Sequence, residues 1–166
     1  MTMNKSENPF RPILLCRPVF EQMAAYTYAA LPQEACGILI GQGNHQNAPI
    51  SVSEFIPVPN TAEDPLHHFR LEPAEWTRLL LSKRGIIGLF HSHPSSHPEP
   101  SRKDLADLQA FGGLFSIYLI GTPAGTGTEE LKLNAYRVEA RMDKDERGVK
   151  KIQSLLPHTF EIRDDG

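Results

Sequence analysis

The chain has 166 residues, with seventeen Lys and Arg against twenty Asp and Glu and a net charge of −3. That length fits one domain with a buried core, and the weak acidity argues against nucleic acid as the main partner. No apolar run approaches the ~18–20 residues of a membrane span, and the polar stretch 1–12 lacks the apolar core of a signal peptide. Two cysteines, Cys16 and Cys36, with no Cys-X-X-Cys pair make no disulfide framework, so a reducing cytoplasm is the expected location.

Residues 1–12 read as a flexible N-terminus, 13–156 as the domain and 157–166 as a loose C-terminal tail. Arg17-Pro18 opens a helix with Val19, Met23, Tyr26 and Ala30 at helical spacing. It ends by Leu31-Pro32, because the residue before proline resists the α conformation. Cys36–Ile40 reads as a strand, 41–47 as a turn, Ile50–Val58 as the hairpin partner and 60–67 as a loop. Pro73–Lys83 is a second helix that buries Trp76, Leu79 and Leu80 and stops at Gly85. Ile86–Phe90 is apolar and bounded by glycine, the pattern of a buried strand. A helix from Ser101 to about Phe111 follows, burying Leu105, Leu108 and Phe111. Leu114–Ile120 is a strand, 121–128 a glycine- and threonine-rich hairpin loop, and Leu131–Val138 a strand by alternation. Asp143–Leu156 is expected to be a charged helix, interrupted by Gly148. Helices mixed with hairpins give an α/β single domain, a sheet with helices on its faces.

The chemistry concentrates in His91-Ser92-His93-Pro94, with Ser101 and Asp104 at a fixed distance. Alternation projects His91 and His93 to one side of a strand end, about 6–7 Å apart at Cα, so both can reach one metal ion. Pro94, Pro98 and Pro100 forbid regular structure and form an ordered loop, expected to overhang the cleft. A ligand at Asp104 would complete His, His and Asp with a fourth position open, as in catalytic rather than structural zinc sites. Ser101 and Asp104 also have the spacing of a capping box, and Asp104 suits the positive end of a helix dipole. Spacing alone leaves both readings open, and they are compatible.

These residues resemble the JAMM, or MPN+, motif of zinc metalloproteases: His-X-His-Pro, ten residues, then Asp, with Ser three before it. An upstream Glu before a short apolar strand belongs to the same pattern, and Glu34-Ala35-Cys36-Gly37-Ile38-Leu39-Ile40-Gly41 looks like it. The likeness continues through Asn60 and Phe69-Arg70-Leu71-Glu72-Pro73 and spans roughly residues 18–138. It implies a curved, mixed, mainly antiparallel sheet of the cytidine-deaminase-like kind, the JAB1/MPN fold. It also implies a Zn²⁺ cofactor held by His91, His93 and Asp104, with Glu34 as general acid and base and Ser101 supporting the oxyanion. The substrate it implies is the C-terminal Gly-Gly of a ubiquitin-like or sulfur-carrier β-grasp protein. The chain lacks room for the long insertions of polyubiquitin-selective relatives, so a compact prokaryotic-type enzyme is expected.

Without the motif, Glu34 reads as a solvated turn residue and Ser101 as an N-cap. Asp107 is the weaker ligand candidate, being a turn further along. His97 could bind substrate or metal but reads more readily as a solvated loop residue, His67 and His68 receive no role, and Cys36 faces either core or site, with core the better reading. Two other functions stand beside hydrolysis. One is a protein-binding scaffold on the same fold, against which the intact Glu34, His91, His93, Ser101 and Asp104 argue. The other is a RadC-like nucleic-acid-related protein, against which the charge and the lack of a basic, aromatic-interleaved stretch argue.

Overall fold

Alternating apolar residues give the central strands two apolar faces, and each face receives its own helices. The computed structural model describes residues 11–44, 48–125 and 129–164. In chain order the elements are β1 (Ile13–Cys16), α1 (Arg17–Ala30), β2 (Cys36–Asn44), β3 (Ala48–Val58), α2 (Pro73–Ser82), β4 (Ile86–Ser92), α3 (Arg102–Leu108), β5 (Ile117–Pro123), β6 (Leu131–Asp145), β7 (Gly148–His158) and β8 (Phe160–Arg163). A 3₁₀ turn, Gln109–Phe111, extends α3.

The described strands form one mixed sheet in the order β7-β6-β5-β4-β2-β3-β1-β8. Pairs β2–β3, β2–β4, β5–β6 and β6–β7 are antiparallel, while β1–β3, β1–β8 and β4–β5 are parallel. On one face Leu39, Phe55, Phe90, Ile117 and Leu119 pack with Val19, Met23 and Ala24 of α1. On the other, Ile38, Leu89, Tyr118 and Ile120 pack with Leu79 of α2 and Leu108 of α3. No described helix is long and apolar enough to cross a membrane.

Several expectations hold. Helix α1 stops where Leu31 turns extended, at ψ 139°, before Pro32. Helix α2 begins at Pro73 with the Glu72 carboxylate accepting from the Ala74 and Glu75 amides. Strands β2 and β3 run longer than their apolar stretches, to Asn44 and from Ala48. Residues 45–47 and 126–128 of the expected turns, 1–10 of the expected flexible N-terminus and 165–166 of the tail lie outside the described residues.

Four expectations are corrected. The helix expected over Asp143–Leu156 is the β6–β7 hairpin, with register Asp145↔Gly148 and Gly148 at φ 125° beside the reversal. Strand β5 pairs with β6 only as far as Arg137. Val138, Gln153 and Leu155 still pack on the domain, but from Met142 and Lys151 to the reversal the hairpin is a two-stranded ribbon with its residues exposed, where charge replaces the alternation that marks a half-buried strand. The tail from Pro157 is not loose over its described part. His158 Nε2 lies 2.9 Å from the Arg11 carbonyl, and β8 pairs in parallel with β1. Four-residue β1 escapes a sequence reading because β3 and β8 on either side make it a strand. Finally, Leu80 and Leu105 are 42% and 38% exposed rather than buried, and β5 begins at Ile117, leaving Leu114 exposed.

Candidate metal centre

Strand β4 delivers His91 to the α2/α3 face of the sheet, and the chain continues to His93, whose amide donates to the Gly121 carbonyl at 2.8 Å. The hydroxyl of Thr122 donates to the His93 carbonyl at 2.7 Å. The loop after it is pinned at Pro98, whose carbonyl accepts from Tyr136 Oη at 3.0 Å and Asn134 Nδ2 at 3.1 Å. This loop supplies carbonyls to the site and its supports.

Helix α3 then brings Asp104 back to the histidines. His91 Nε2 and His93 Nε2 are 2.9 Å apart, and Asp104 Oδ2 lies 3.4 Å and 3.2 Å from them. Bonds of about 2.0–2.1 Å to one tetrahedral ion place donor atoms about 3.3 Å apart, so the group has the right span. His93 Nδ1 lies 2.7 Å from the His97 carbonyl, so the neutral ring carries its proton there and turns the Nε2 lone pair inward. The His91 ring is fully buried, stacked on Phe69 at 4.5 Å and edge-on to Tyr118 at 5.4 Å. Three electron-pair donors thus converge in a buried site with few protons to share, which fits a cation.

The Ser101–Asp104 capping box is also present. Ser101 Oγ accepts from the Asp104 amide at 3.0 Å, and the Ser101 amide donates to Asp104 Oδ2 at 2.8 Å. The capping reading holds, and the carboxylate oxygen that serves the cap is the same one that completes the His91, His93 and Asp104 group. Burial pushes the Asp104 carboxyl up, but hydrogen bonds to His91 and His93 outweigh it and hold the group well below the ordinary carboxylate range. Burial lowers the His91 pKa, although Asp104 opposes it. Burial also opposes charge on His93, but hydrogen bonds to Asp104 and the His97 carbonyl raise its pKa overall, so His91 already has the neutral form a metal ligand needs and His93 would release a proton on binding an ion.

Glu34 is 5% exposed, not a solvated turn residue. It ends the loop before β2, and the pairing of Cys36 with His91 brings it beside the histidines. Its Oε2 is buried with no hydrogen-bond partner among the described residues. Burial raises its pKa to about 8, with Asp104 and Asp64 adding and His93 opposing. The metal-free folded protein therefore keeps a proton that the unfolded chain releases near its ordinary value of 4.5. The stability tied to this group is complete below that value and is lost as pH rises towards 8. Glu34→Gln should flatten the dependence, stabilising chelated protein at pH 8 by on the order of a few kcal/mol. Urea denaturation of both proteins between pH 5 and 8.5 measures it, and parallel curves would refute the assignment.

Of the other residues singled out in the sequence, His97 has an exposed ring and contributes only its carbonyl. Asp107 is half-buried and pairs with Lys103, and His67 pairs with Asp64. Cys36 is fully buried, donates to the Val58 carbonyl at 3.3 Å, and burial pushes its thiol up to about 12, so it is core. A groove of about 510 Å³ lies next to the site, walled by Phe69, Arg70, Trp76, Lys103 and Phe111. Phe69 joins groove to site, since its ring also stacks on His91. The supporting roles of Tyr118, Thr122 and Tyr136 carry no sequence signal, because each depends on a strand pairing distant in the chain.

A family model described as prokaryotic homologs of the JAB domain matches residues 17–138. The desampylase of Haloferax volcanii is 34% identical over 101 residues, 58% of this chain and 68% of that protein. Protein DSY2949 of Desulfitobacterium hafniense has a solved structure that matches with TM-score 0.65 and 26% identity, over 92% of this chain and 94% of that one. A JAB1/MPN domain protein, AF2198 of Archaeoglobus fulgidus, shares the fold at TM-score 0.51 and 18% identity, over 90% and 98% of the two chains. The family match spans most of the chain and contains the whole His91, His93 and Asp104 group together with Glu34. The chain belongs to the prokaryotic homologs of the JAB domain.

Proposed function

We propose that this protein is a zinc-dependent isopeptidase that hydrolyses the amide bond after the C-terminal Gly-Gly of a ubiquitin-like or sulfur-carrier protein. The observation that carries the reading is the convergence of His91 Nε2, His93 Nε2 and Asp104 Oδ2 beside a buried Glu34 whose Oε2 has no hydrogen-bond partner among the described residues. The desampylase relative supports the same class of chemistry.

His91, His93 and Asp104 would hold the ion. Zinc bound there supplies a Lewis acid for the scissile carbonyl and lowers the pKa of water towards about 7. Glu34 stands outside the ligand set and would take the attacking water's proton and return it to the leaving amine. The Ser101 cap uses an Oγ lone pair, leaving the hydroxyl proton free to meet the developing oxyanion. The groove would take an extended tail, and glycines suit its approach to the metal because they bring no side chain to the reacting carbonyl. The folded body of the carrier stays outside.

Conjugates of a Gly-Gly carrier to a peptide or to lysine should release intact carrier, with turnover abolished by chelator and restored by zinc. Many-site cleavage of unfolded casein-like chains at equal rate would point to a general peptidase. No cleavage of either by fully zinc-loaded protein would favour a binding role.

The two jobs of Ser101 separate by substitution. Ser101→Asp retains a capping oxygen and should keep near-native thermal stability, yet an ionised carboxylate cannot donate to an oxyanion, so turnover should fall steeply. Its charge beside the metal also opposes an anion, so Ser101→Thr, which keeps the hydroxyl and should be milder, is the control. Ser101→Ala should lose both activity and about 1 kcal/mol of cap. Lost stability with full activity would leave the cap as its whole role.

A further inference from the structure

Residues 34 and 35 precede the β2 ladder, which begins at Cys36, paired with His91 and Val58. All four of their backbone polar groups are nevertheless satisfied. The Glu34 amide donates to the Pro65 carbonyl at 2.8 Å, and the Ala35 carbonyl accepts from the Ser92 amide at 2.9 Å. The peptide plane between them is held at both polar ends by side chains alone. The Glu34 carbonyl accepts from Asn60 Nδ2 at 3.0 Å, and the Ala35 amide donates to Ser92 Oγ at 2.8 Å.

Ser92 sits between the two histidines in sequence, but strand alternation turns its side chain away from theirs. It is fully buried, and its hydroxyl oxygen faces Ala35 rather than the metal centre. Asn60 uses both ends of its amide. Nδ2 also donates to the His68 carbonyl at 3.0 Å, while Oδ1 accepts from the Ala62 and Arg70 amides, each at 3.0 Å. It therefore ties Glu34 to the loop that carries Phe69 and walls the groove.

We propose that Ser92 and Asn60 are positioning residues that fix the Glu34–Ala35 peptide plane and so aim the Glu34 carboxylate at the reacting water. The inference rests on the assignment of Glu34 as general base. Oε2 has no hydrogen-bond partner among the described residues, so that atom does not orient the carboxylate, and the position of the backbone it extends from matters the more. A shift of about 1 Å in such a group can cost roughly 10²-fold in rate.

The test is a double-mutant cycle on zinc-loaded protein with the carrier–lysine conjugate. Ser92→Ala should lower kcat by roughly 10- to 10²-fold with KM and zinc content unchanged, and Ser92→Thr, which keeps Oγ, should recover most of it. Asn60→Ala should lower kcat and also raise KM, because it frees the groove wall. In a Glu34→Gln background Ser92→Ala should cost almost nothing more, since it acts through that carboxylate. Amide hydrogen exchange gives a readout independent of turnover: the Ala35 amide should lose protection in Ser92→Ala while the Ile38 amide keeps it.

Wild-type kcat in Ser92→Ala, or a full multiplicative loss on top of Glu34→Gln, overturns this inference and leaves the function standing. Unchanged Ala35 protection in Ser92→Ala overturns it as well. A Glu34→Gln enzyme as active as wild type, or a zinc-loaded wild type that cleaves no conjugate, overturns the base assignment and this inference with it.

Discussion

Glu34→Gln is expected to lower kcat by roughly 10²–10⁴-fold while zinc content and fold are retained. The amide is nearly isosteric, so the buried space is filled as before, and it neither charges nor carries a proton to the leaving amine. The group is 5% exposed and contributes nothing to the donor cluster of His91, His93 and Asp104. The metal-free protein should even gain stability at neutral and higher pH, because the substitution removes an acid whose charged form burial disfavours. Lost activity with gained stability separates a functional carboxylate from a structural one. Steady-state kinetics on the carrier conjugate, elemental analysis and denaturation of the same sample measure all three. Near-wild-type turnover would remove Glu34 from the mechanism.

How far the sequence announced this site depended on the range of the interactions involved. His91 and His93 lie two residues apart on one strand, and Ser101 and Asp104 lie within one helical turn, so local geometry sufficed to group each pair. Glu34 lies 57 residues before His91, and only the antiparallel pairing of Cys36 with His91 brings it near. Residue-level reasoning alone would have left it in solvent; the family pattern corrected that. The helix expected over Asp143–Leu156 failed for a different reason. Met142 and Lys151 face each other where the ribbon becomes exposed, with Met142 66% exposed, so from there to the reversal no buried face imposed a period of two. Strands β1 and β8 pair residues about 147 positions apart, Ile13 with Phe160, and no window on the sequence contains both.

The ligand substitutions carry the other large expected effect. Purified wild-type protein should contain about one zinc per chain, and His93→Ala or Asp104→Ala should lose most of it and all measurable turnover. Asp104 is the more informative of the two, because its Oδ2 serves both the donor cluster and the Ser101 cap. A cap lost alone costs about 1 kcal/mol and leaves zinc in place. A ligand lost alone removes the stabilisation that zinc provides. For wild type that stabilisation should reach about 2.7 kcal/mol at a free zinc concentration a hundredfold above Kd, and it should vanish in Asp104→Ala. His97→Ala is the control, since this residue offers the centre its backbone carbonyl, which alanine also has. Zinc content by elemental analysis and the zinc-dependent shift in denaturation midpoint read the two roles separately. Full zinc occupancy in Asp104→Ala alongside zinc loss in His97→Ala would show that the third ligand comes from the proline-braced loop and not from α3.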